Sequence, residues 1–183
     1  ISATIGQSYR LTSKPTLFPD GTGLTNRTSD VVGRATVKFK NLVTVTNRFR
    51  LDKDSFAIRR NELDATIGSD KTYAMVGYLR LNRNIAPTLE DLREREEVRL
   101  GGRWQFAKYW SVFGSTIIDM TDKKEDPLSL ADGYDPVRHR IGVSYDDDCL
   151  SIGLTWKRDY DASGDARRGN TYQLRVSLRN LGR

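Results

Sequence analysis

Apolar and polar residues alternate along ten segments of this chain. In the cleanest segment, Thr171–Leu181, Leu174 and Val176 fall on one face while Arg175 falls on the other. Successive side chains of a β-strand point to opposite faces, so this pattern predicts strands with one oily face and one cationic face. A soluble sheet packed on a core can show the same alternation, so other features have to separate the two.

Ten antiparallel strands follow from this pattern, each ending where the alternation stops or a turn signal begins. The fourth strand changes phase in its middle, and a β-bulge near residues 59–61 would restore the phase. The predicted strands are Ile1–Leu11, Val31–Lys40, Val43–Leu51, Phe56–Gly68, Tyr73–Leu81, Val98–Phe106, Trp110–Met120, Val137–Tyr145, Leu150–Lys157 and Thr171–Leu181.

The connections between the predicted strands alternate short and long. Those after even-numbered strands are short and those after the first, fifth, seventh and ninth are long, with the short turn Lys53–Ser55 as the exception. Outer-membrane barrels sort their loops in this way, because periplasmic turns are tight and extracellular loops are not. The sequence therefore predicts an all-β fold, an antiparallel transmembrane β-barrel built as a meander. A soluble β-sandwich or lipocalin-like barrel is the alternative.

Aromatic residues of the apolar face concentrate near the strand ends. Two aromatic girdles around an aliphatic band are what a lipid bilayer favours. Asn47 interrupts the apolar face of the third strand. The predicted girdles contain Phe39, Tyr73, Phe106, Trp110 and Tyr145 near the short turns, and Tyr9, Phe49, Trp156 and Tyr172 near the other end.

We expect the ten strands to form an open, curved sheet. Ten strands could close into a small barrel, since even strand numbers are allowed. Long unpaired edges at Ile1–Leu11 and Asn170–Leu181 would instead require further strands in the whole protein, because such edges are prone to aggregation. We therefore interpret residues 1–183 as part of a larger outer-membrane barrel domain.

Composition narrows the class of partner. The 183 residues carry a formal charge of +6, a pI near 9.5 and a mean hydropathy of −0.59. No run of about 20 apolar residues occurs, which excludes a membrane-spanning helix, whereas the lumen and loops of a barrel dilute its apolar face in any average. The positive charge indicates an anionic partner. Its cations are spread along strand faces without a basic tail or an RNA-binding motif, so we expect no nucleic-acid partner.

The cations fall on the polar face of the predicted strands. A dry core cannot hold so many charges, because the burial of each unpaired charge costs about several kcal/mol of folding free energy. A water-filled lumen avoids this cost. Pairing with Glu62, Asp64 and Asp119 is the simpler explanation, and attraction of an acidic, phosphorylated saccharide is the functional one. The predicted lumen cations are Arg48, Arg50, Arg80, Arg99, Arg103, Arg138, Arg140 and Arg175, with Arg34, Lys38, Lys157 and Arg179 beside them.

Catalytic chemistry has little support in this sequence. The only histidine, His139, falls with Ile141 on the apolar face, so Ser111 and Ser115 on the other face lack a base. An outer-membrane protease or phospholipase barrel is therefore a minor alternative. The acidic run Asp146–Asp148 is interpreted as a solvated hairpin turn, and we expect no metal and no cofactor.

The final third of the chain resembles the C-terminal barrel of the LptD (OstA) family of outer-membrane proteins that assemble lipopolysaccharide (LPS). The resemblance rests on an Asp-Cys turn before an alternating strand, Tyr145–Leu150, and on a closing strand, Leu174–Gly182. The segments Asn47–Asp52 and Arg60–Glu62 are also similar to this family's barrel. The resemblance covers most of the chain and is weaker at its start. It implies that residues 1–183 are the C-terminal part of this barrel domain.

This resemblance implies a translocon that receives LPS from periplasmic bridge proteins through an N-terminal jelly-roll domain. The barrel of this family opens laterally between its first and last strands and inserts LPS into the outer leaflet of a Gram-negative outer membrane. The implied partners are LPS, an LptE-like plug lipoprotein in the lumen and the bridge proteins. Many members carry adjacent cysteines at the Asp-Cys turn that form disulfides to the N-terminal region, which implies an inter-region disulfide for Cys149. A general porin remains the alternative.

Overall fold

β-strands are the only regular secondary structure in the part of the chain that a computed structural model describes, which comprises residues 1–12, 18, 23–82, 95–121, 133–160 and 168–178. No helix among these residues is long and apolar enough to cross a membrane. The strands are β1 (Ser2–Gly6), β2 (Val31–Phe39), β3 (Val43–Leu51), β4 (Ile58–Gly68), β5 (Tyr73–Leu81), β6 (Arg95–Gln105), β7 (Trp110–Asp119), β8 (Asp135–Asp146), β9 (Leu150–Asp159) and β10 (Gly169–Leu178).

All ten strands belong to one antiparallel sheet in the order β1 to β10, so every strand pairs only with its neighbours in sequence. The short connections, after β2, β4, β6 and β8, have three or four residues each. The strands β1 and β10 each pair on one side only, and no pairing joins them in the described part of the chain. The predicted all-β meander and its open sheet are confirmed.

The first strand is shorter than the sequence predicts. It ends at Gly6, and the residues after it bond irregularly to the end of the following connection. Ser8 N–H donates to Ser29 Oγ at 2.8 Å, and Tyr9 forms an isolated bridge with Thr28. These local bonds compete with the ladder to β2, so the alternation at residues 7–11 does not extend the strand. Three residues of the predicted tenth strand, 179–181, lie outside the described residues.

The predicted bulge in the fourth strand is confirmed. Arg50 pairs with Arg60 but its neighbour Leu51 pairs with Ile58, so Arg59 is the extra residue. A second bulge, which the alternation did not indicate, lies in β8 at Val137. It follows Pro136, which has no N–H to donate to the ladder. Beyond each bulge, the side chains of the strand point to the same face as the residues with which they pair on the neighbouring strand.

The phase of β5 differs from the prediction. Gly77 pairs directly with Asp64 of β4 and with Arg99 of β6, so the face of β5 that carries Gly77, Leu79 and Leu81 is the polar face of the sheet. Directly paired residues of antiparallel strands point the same way. Both faces of β5 are largely apolar, so its own alternation contains little information and the neighbouring strands decide its register.

Burial in this sheet is inverted relative to a soluble protein. No apolar side chain is buried in the described residues, and the buried ones are all polar or charged. Leu174 is 67% exposed and Ile67 is 60% exposed, whereas Ser111 on the other face is 2% exposed. The apolar face therefore has no protein partner, and the polar side chains shield one another. A soluble sheet packed on an oily core would show the opposite distribution.

Gly68 gives the sharpest local test of this fold. Its φ of +128° is one that residues with a side chain rarely adopt, and a Cβ there would lie 2.2 Å from the Thr72 carbonyl oxygen. We expect Gly68→Ala to destabilise the folded protein by about 1–3 kcal/mol, because the strain falls on backbone that cannot move aside. Urea unfolding in detergent micelles, followed by tryptophan fluorescence, measures the change.

The matched control is Gly153→Ala in β9, where nothing lies within 4 Å of the new Cβ and φ is not positive. We expect this variant to unfold at the wild-type urea concentration or slightly above it. Equal destabilisation of the two variants would contradict the strained turn at Gly68.

Candidate functional site

The candidate site is the polar face of the sheet. Pairing places residues such as Thr36, Thr46, Arg48 and Glu62 on it, in line across adjacent strands. Of the eight predicted lumen cations, the strand register brings together seven on this face, which are Arg48, Arg50, Arg99, Arg103, Arg138, Arg140 and Arg175.

Arg80 is the exception, and its predicted position on the polar face is wrong. It pairs with Asn61 of β4 and with Glu96 of β6, both of which lie on the apolar face. The cause is the phase of β5 described above. On the apolar face, the Tyr78 hydroxyl lies 2.6 Å from Glu96 Oε1 and donates to it, so this charged row is satisfied locally.

Glu62 is the centre of the largest ion-pair network on the polar face. Its carboxylate is 3.0 Å from Arg99 Nη2, 2.9 Å from Arg60 Nη2 and 3.3 Å from Arg48 Nη1. Asp64 pairs with Arg48 at 2.7 Å and with Arg99 at 3.5 Å. Two acids thus hold three arginines, and the predicted pairing of the lumen cations with Glu62 and Asp64 is confirmed.

This network depends on a small residue in the strand that it crosses. Arg99 lies in β6 and Glu62 in β4, so the guanidinium has to pass over β5, where strands are about 4.8 Å apart. The residue that it passes over is Gly77. A Cβ at Gly77 would lie 2.9 Å from Asp64 Oδ1 and 3.3 Å from Arg99 Nε. Gly77 therefore leaves the space in which the ion pairs form.

A second network lies nearer the short turns. Arg103 Nη2 of β6 reaches over β7 to Asp146 Oδ2 at 3.0 Å and to Ser144 Oγ at 3.1 Å, both in β8. Beneath it the buried Ser111 shares a 2.8 Å hydrogen bond with Ser144. Ser151 Oγ donates to the other carboxylate oxygen of Asp146 at 2.5 Å. The residue of β7 that pairs directly with Arg103 is Phe113, and the arginine reaches past it toward the short turn.

Acids also hold cations at the end with the long connections. Asp159 binds Arg138 at 2.5 Å and Lys157 at 2.6 Å, and Asp30 lies 3.4 Å from Arg50 Nε. Neither acid was indicated as a partner by alternation. Asp119 is predicted as a partner of the lumen cations, but it accepts hydrogen bonds from Thr121 and forms no ion pair in the described part of the chain.

The six-residue connection between β3 and β4 is an ordered turn around Asp52. Its carboxylate accepts hydrogen bonds from the backbone N–H of Ser55 at 2.9 Å and of Asp54 at 3.1 Å, and Arg59 Nη2 lies 3.0 Å away. These bonds, the Ser55 N–H first, hold the pKa of the Asp52 carboxyl well below its ordinary value. This turn explains why the connection breaks the rule of long loops at this end.

Four polar-face cations have no carboxylate partner in the described residues: Arg34, Lys38, Arg140 and Arg175. The Arg140 guanidinium lies 5.3 Å from the Phe113 ring centroid and pairs across the strands with Ser115 and Lys157. Arg34 is on the second strand and Arg175 on the last. Positive charge is therefore neutralised in the middle of the sheet and left over toward its two edges and at Arg140.

Asn47, which interrupts the predicted apolar face, has a partner that alternation could not indicate. Its side-chain amide donates to Asn61 Oδ1 at 2.8 Å and to the Glu62 carbonyl at 3.2 Å. Asn61 reaches the apolar face only because the bulge at Arg59 shifts the phase of β4. The two asparagines thus satisfy each other on a face that is otherwise apolar.

The other chemistry-bearing residues lie apart from one another. His139 is on the apolar face as predicted, with Nδ1 2.8 Å from Thr116 Oγ1, whereas Ser111 is on the polar face. Cys149 is a free, exposed thiol in the turn between β8 and β9, and its backbone N–H donates to Asp147 Oδ1 at 2.8 Å.

The aromatic side chains cluster at both ends of the apolar face. Near the short turns, Trp110 and Tyr145 pack edge to face at 5.2 Å, and Phe106 lies 5.9 Å from Trp104. Tyr73 was predicted in this girdle, but the phase of β5 puts it on the polar face opposite Arg103. At the other end, Trp156 pairs directly with Tyr172 as predicted, and Tyr160 and Tyr78 add aromatic rings that the alternation missed.

An open antiparallel meander with an exposed apolar face, aromatic strand ends and a wet, ion-paired polar face defines the class of outer-membrane β-barrel sheets. Comparison with known families gives a match to LptD, described as LPS transport system D, over residues 1–110. This match covers more than half of the 183 residues, and the chain belongs to the LptD family. The family is an outer-membrane component of LPS transport.

The matched region holds β1 to β6 and the Glu62 network. It includes the segments Asn47–Asp52 and Arg60–Glu62 that resemble the family, but not Tyr145–Leu150 or Leu174–Gly182. The match thus includes the start of the chain, where the resemblance is weaker, and leaves out the final third, on whose motifs the resemblance chiefly rests. A search of curated proteins found no match to this chain.

Removing the acid at the centre of the network tests its contribution to the fold. Glu62 is 10% exposed in its side chain, and Glu62→Gln keeps its shape while leaving three arginines without that charge. We expect the variant to lose about 1–3 kcal/mol of unfolding free energy, because breaking a nearly buried pair leaves unpaired charge. Urea unfolding in micelles measures the loss.

Asp54→Asn serves as the control for Glu62→Gln. Asp54 also pairs with a cation, Lys53, but its side chain is 77% exposed. Exposed ion pairs contribute little, so this variant should unfold like the wild type. An equally small effect of both substitutions would show that the Glu62 network does not stabilise the sheet.

Proposed function

We propose that this chain forms part of the barrel of an outer-membrane translocon that delivers LPS to the outer leaflet. The observation that carries the proposal is the polar face itself: a line of arginines on the wet side of a sheet whose other side is apolar. Membership of the LptD family supports LPS as the cargo. The polar face then lines the lumen and the apolar face contacts lipid.

The lengths of the connections support one orientation in the membrane. The tight turns after β2, β4, β6 and β8 face the periplasm, and the longer connections face the cell exterior. The aromatic girdle at Trp110 and Tyr145 then lies at the periplasmic interface, and that at Trp156 and Tyr172 at the outer one. Cys149 is on the periplasmic side in this orientation.

The division of the lumen cations into paired and unpaired supports two roles. Arg48, Arg60 and Arg99 are held by acids, and we assign them to the structure of the wall. Arg140 and Arg175 have no carboxylate in the described residues, so their guanidinium groups are free to bind the phosphate and acidic sugar groups of LPS. Arginine binds such anions with two parallel hydrogen bonds.

We further propose that the sheet is one portion of a larger barrel. The unpaired edges of β1 and β10 support this, because exposed strand edges pair with other strands when they can. In this proposal β10 lines a lateral opening, an LptE-like lipoprotein plugs the lumen, and periplasmic bridge proteins deliver LPS to a domain outside this sequence. A general porin would share the wet, cationic lumen and is distinguished by its cargo.

Loss of the two unpaired arginines tests the proposed cargo path. In the full-length protein, we expect the double variant Arg140→Gln with Arg175→Gln to lower LPS delivery to the cell surface roughly fivefold to tenfold. A fivefold to tenfold loss corresponds to about 1–1.4 kcal/mol, which is a part of the about 1.5–3 kcal/mol that one charge-assisted hydrogen bond contributes. Surface labelling of LPS in cells depleted of the native protein measures delivery.

The matched control removes the same charge from short turns, in Lys71→Gln with Lys108→Gln, and should leave delivery unchanged. Heat-dependent mobility on gels verifies that both double variants fold. Unchanged LPS delivery in the arginine variant, together with reduced uptake of small anionic solutes, would favour the porin.

We also propose that Cys149 forms a disulfide with a cysteine outside this sequence. Its exposure in a turn that faces an oxidising compartment supports this. On a non-reducing gel of the full-length protein, reduction should shift the wild-type band, and Cys149→Ser should abolish that shift. A shift that persists unchanged in Cys149→Ser would rule out the disulfide.

A further inference from the structure

A small polar patch lies on the apolar face at the end with the long connections. It consists of Thr116, His139, Arg158 and Tyr160, and we call it the Tyr160 patch. Thr116 pairs with His139 across β7 and β8, and His139 pairs with Arg158 across β8 and β9. Their side chains therefore point to the same side as Ile141 and Trp156, away from the ion-pair networks of the polar face.

Tyr160 holds the patch together. Its ring packs edge to face against the His139 imidazole, with centroids 5.1 Å apart, and the Arg158 guanidinium lies 4.7 Å from the ring centroid. Its backbone N–H bonds to the Val137 carbonyl at 3.0 Å, which fixes the ring beside the bulge of β8. Since Thr116 bonds to Nδ1 of His139, the Nε2 atom points to a position without a hydrogen-bond partner in the described part of the chain.

The patch carries a cation that no acid of the described residues neutralises. In the described residues, Arg158 has the Tyr160 ring as its contact and no carboxylate, and it is exposed. The other arginine of the apolar face, Arg80, is different, because Glu96 lies directly opposite it. An unneutralised cation on a face that contacts lipid is costly unless it reaches water or an anionic headgroup.

We propose that the Tyr160 patch binds a phosphate group of an LPS molecule in the leaflet that surrounds the barrel. The inference rests on the proposed function for its membrane and its orientation, which place this end of the apolar face at the outer leaflet. The guanidinium of Arg158 supplies a fork that matches two phosphate oxygens, and the Tyr160 ring holds that fork in place. His139 Nε2 lies beside it and is a further donor when Thr116 Oγ1 donates to Nδ1, because the neutral ring then carries its proton on Nε2.

This site differs from the cargo path in the lumen. Arg140 and Arg175 contact LPS in transit from inside the barrel, whereas the Tyr160 patch contacts LPS that is already in the membrane. An anchored lipid at β8 and β9 would give the wall of the barrel a fixed neighbour close to β10. The patch is therefore an outer lipid site, and its loss need not affect transit.

Photo-crosslinking in the full-length protein tests this inference. A benzoylphenylalanine at Asn170, which pairs with Arg158 on the same face, is irradiated in nanodiscs that contain LPS. We expect Arg158→Gln to lower the yield of the LPS adduct at least fivefold relative to the wild type. The control Arg80→Gln, on the same face but opposite an acid, should keep the wild-type yield.

Two further crosslinking measurements define which lipid the Tyr160 patch binds. LPS from which the phosphates have been removed should give the wild type no more adduct than Arg158→Gln gives with intact LPS. Replacement of LPS by phosphatidylglycerol should also give a low yield. Equal yields from wild type and Arg158→Gln, from phosphorylated and dephosphorylated LPS, or from both lipids would each overturn the inference.

LPS delivery to the cell surface is measured on the same wild-type and Arg158→Gln proteins. Normal wild-type delivery without an Arg158-dependent adduct overturns the Tyr160 patch alone. A wild-type protein that delivers no LPS contradicts the proposed function itself, whatever the crosslinking yield.

Discussion

The structure depends on a ladder of backbone hydrogen bonds between strands that are neighbours in sequence. No apolar side chain of the described residues is buried, so the hydrophobic core that stabilises most soluble domains is missing. Each strand is bonded on both sides except β1 and β10. In a lipid environment, each backbone N–H or C=O group without a hydrogen bond costs about several kcal/mol of folding free energy. A continuous ladder satisfies these groups and is therefore the main source of order.

The polar face adds a second layer of organisation to this ladder. Arginines reach across an intervening strand to an acid two strands away, and where Arg99 crosses β5 that strand presents Gly77. The wall is thereby tied together beyond nearest neighbours. A wet lumen allows this, since charges in contact with water do not pay the full cost of burial.

The same arrangement separates structural charge from charge that is available to a ligand. The Glu62 network lies inside the region matched by the LptD family, residues 1–110, whereas Arg140, Arg175 and the Tyr160 patch lie beyond it. The acids of the sheet are concentrated where they fix its wall. The cations without a carboxylate partner in the described residues lie on the polar face, toward the two edges of the sheet and at Arg140, and at Arg158 on the apolar face. An anionic glycolipid can meet both sets, one from each side of the wall.

The sequence by itself determined the strands that alternate strongly, the sorting of short and long connections and the bulge near Arg59. These features are local, since a period of two residues and a turn signal can be read from one segment. It also placed seven of the eight lumen arginines on the correct face, because their own strands alternate clearly.

Only the tertiary structure decided the phase of β5 and, with it, the faces of Arg80 and Tyr73. Both faces of that strand are largely apolar, so its own sequence does not favour either of the two possible registers. The hydrogen bonds to β4 and β6 determine which register forms. The partners of the charges were decided in the same way. Asn47 and Asn61, or Arg99 and Glu62, are far apart in sequence, and their contact exists because the register of several strands aligns them. Alternation assigns a residue to a face, but only the pairing of strands determines which side chains meet on it.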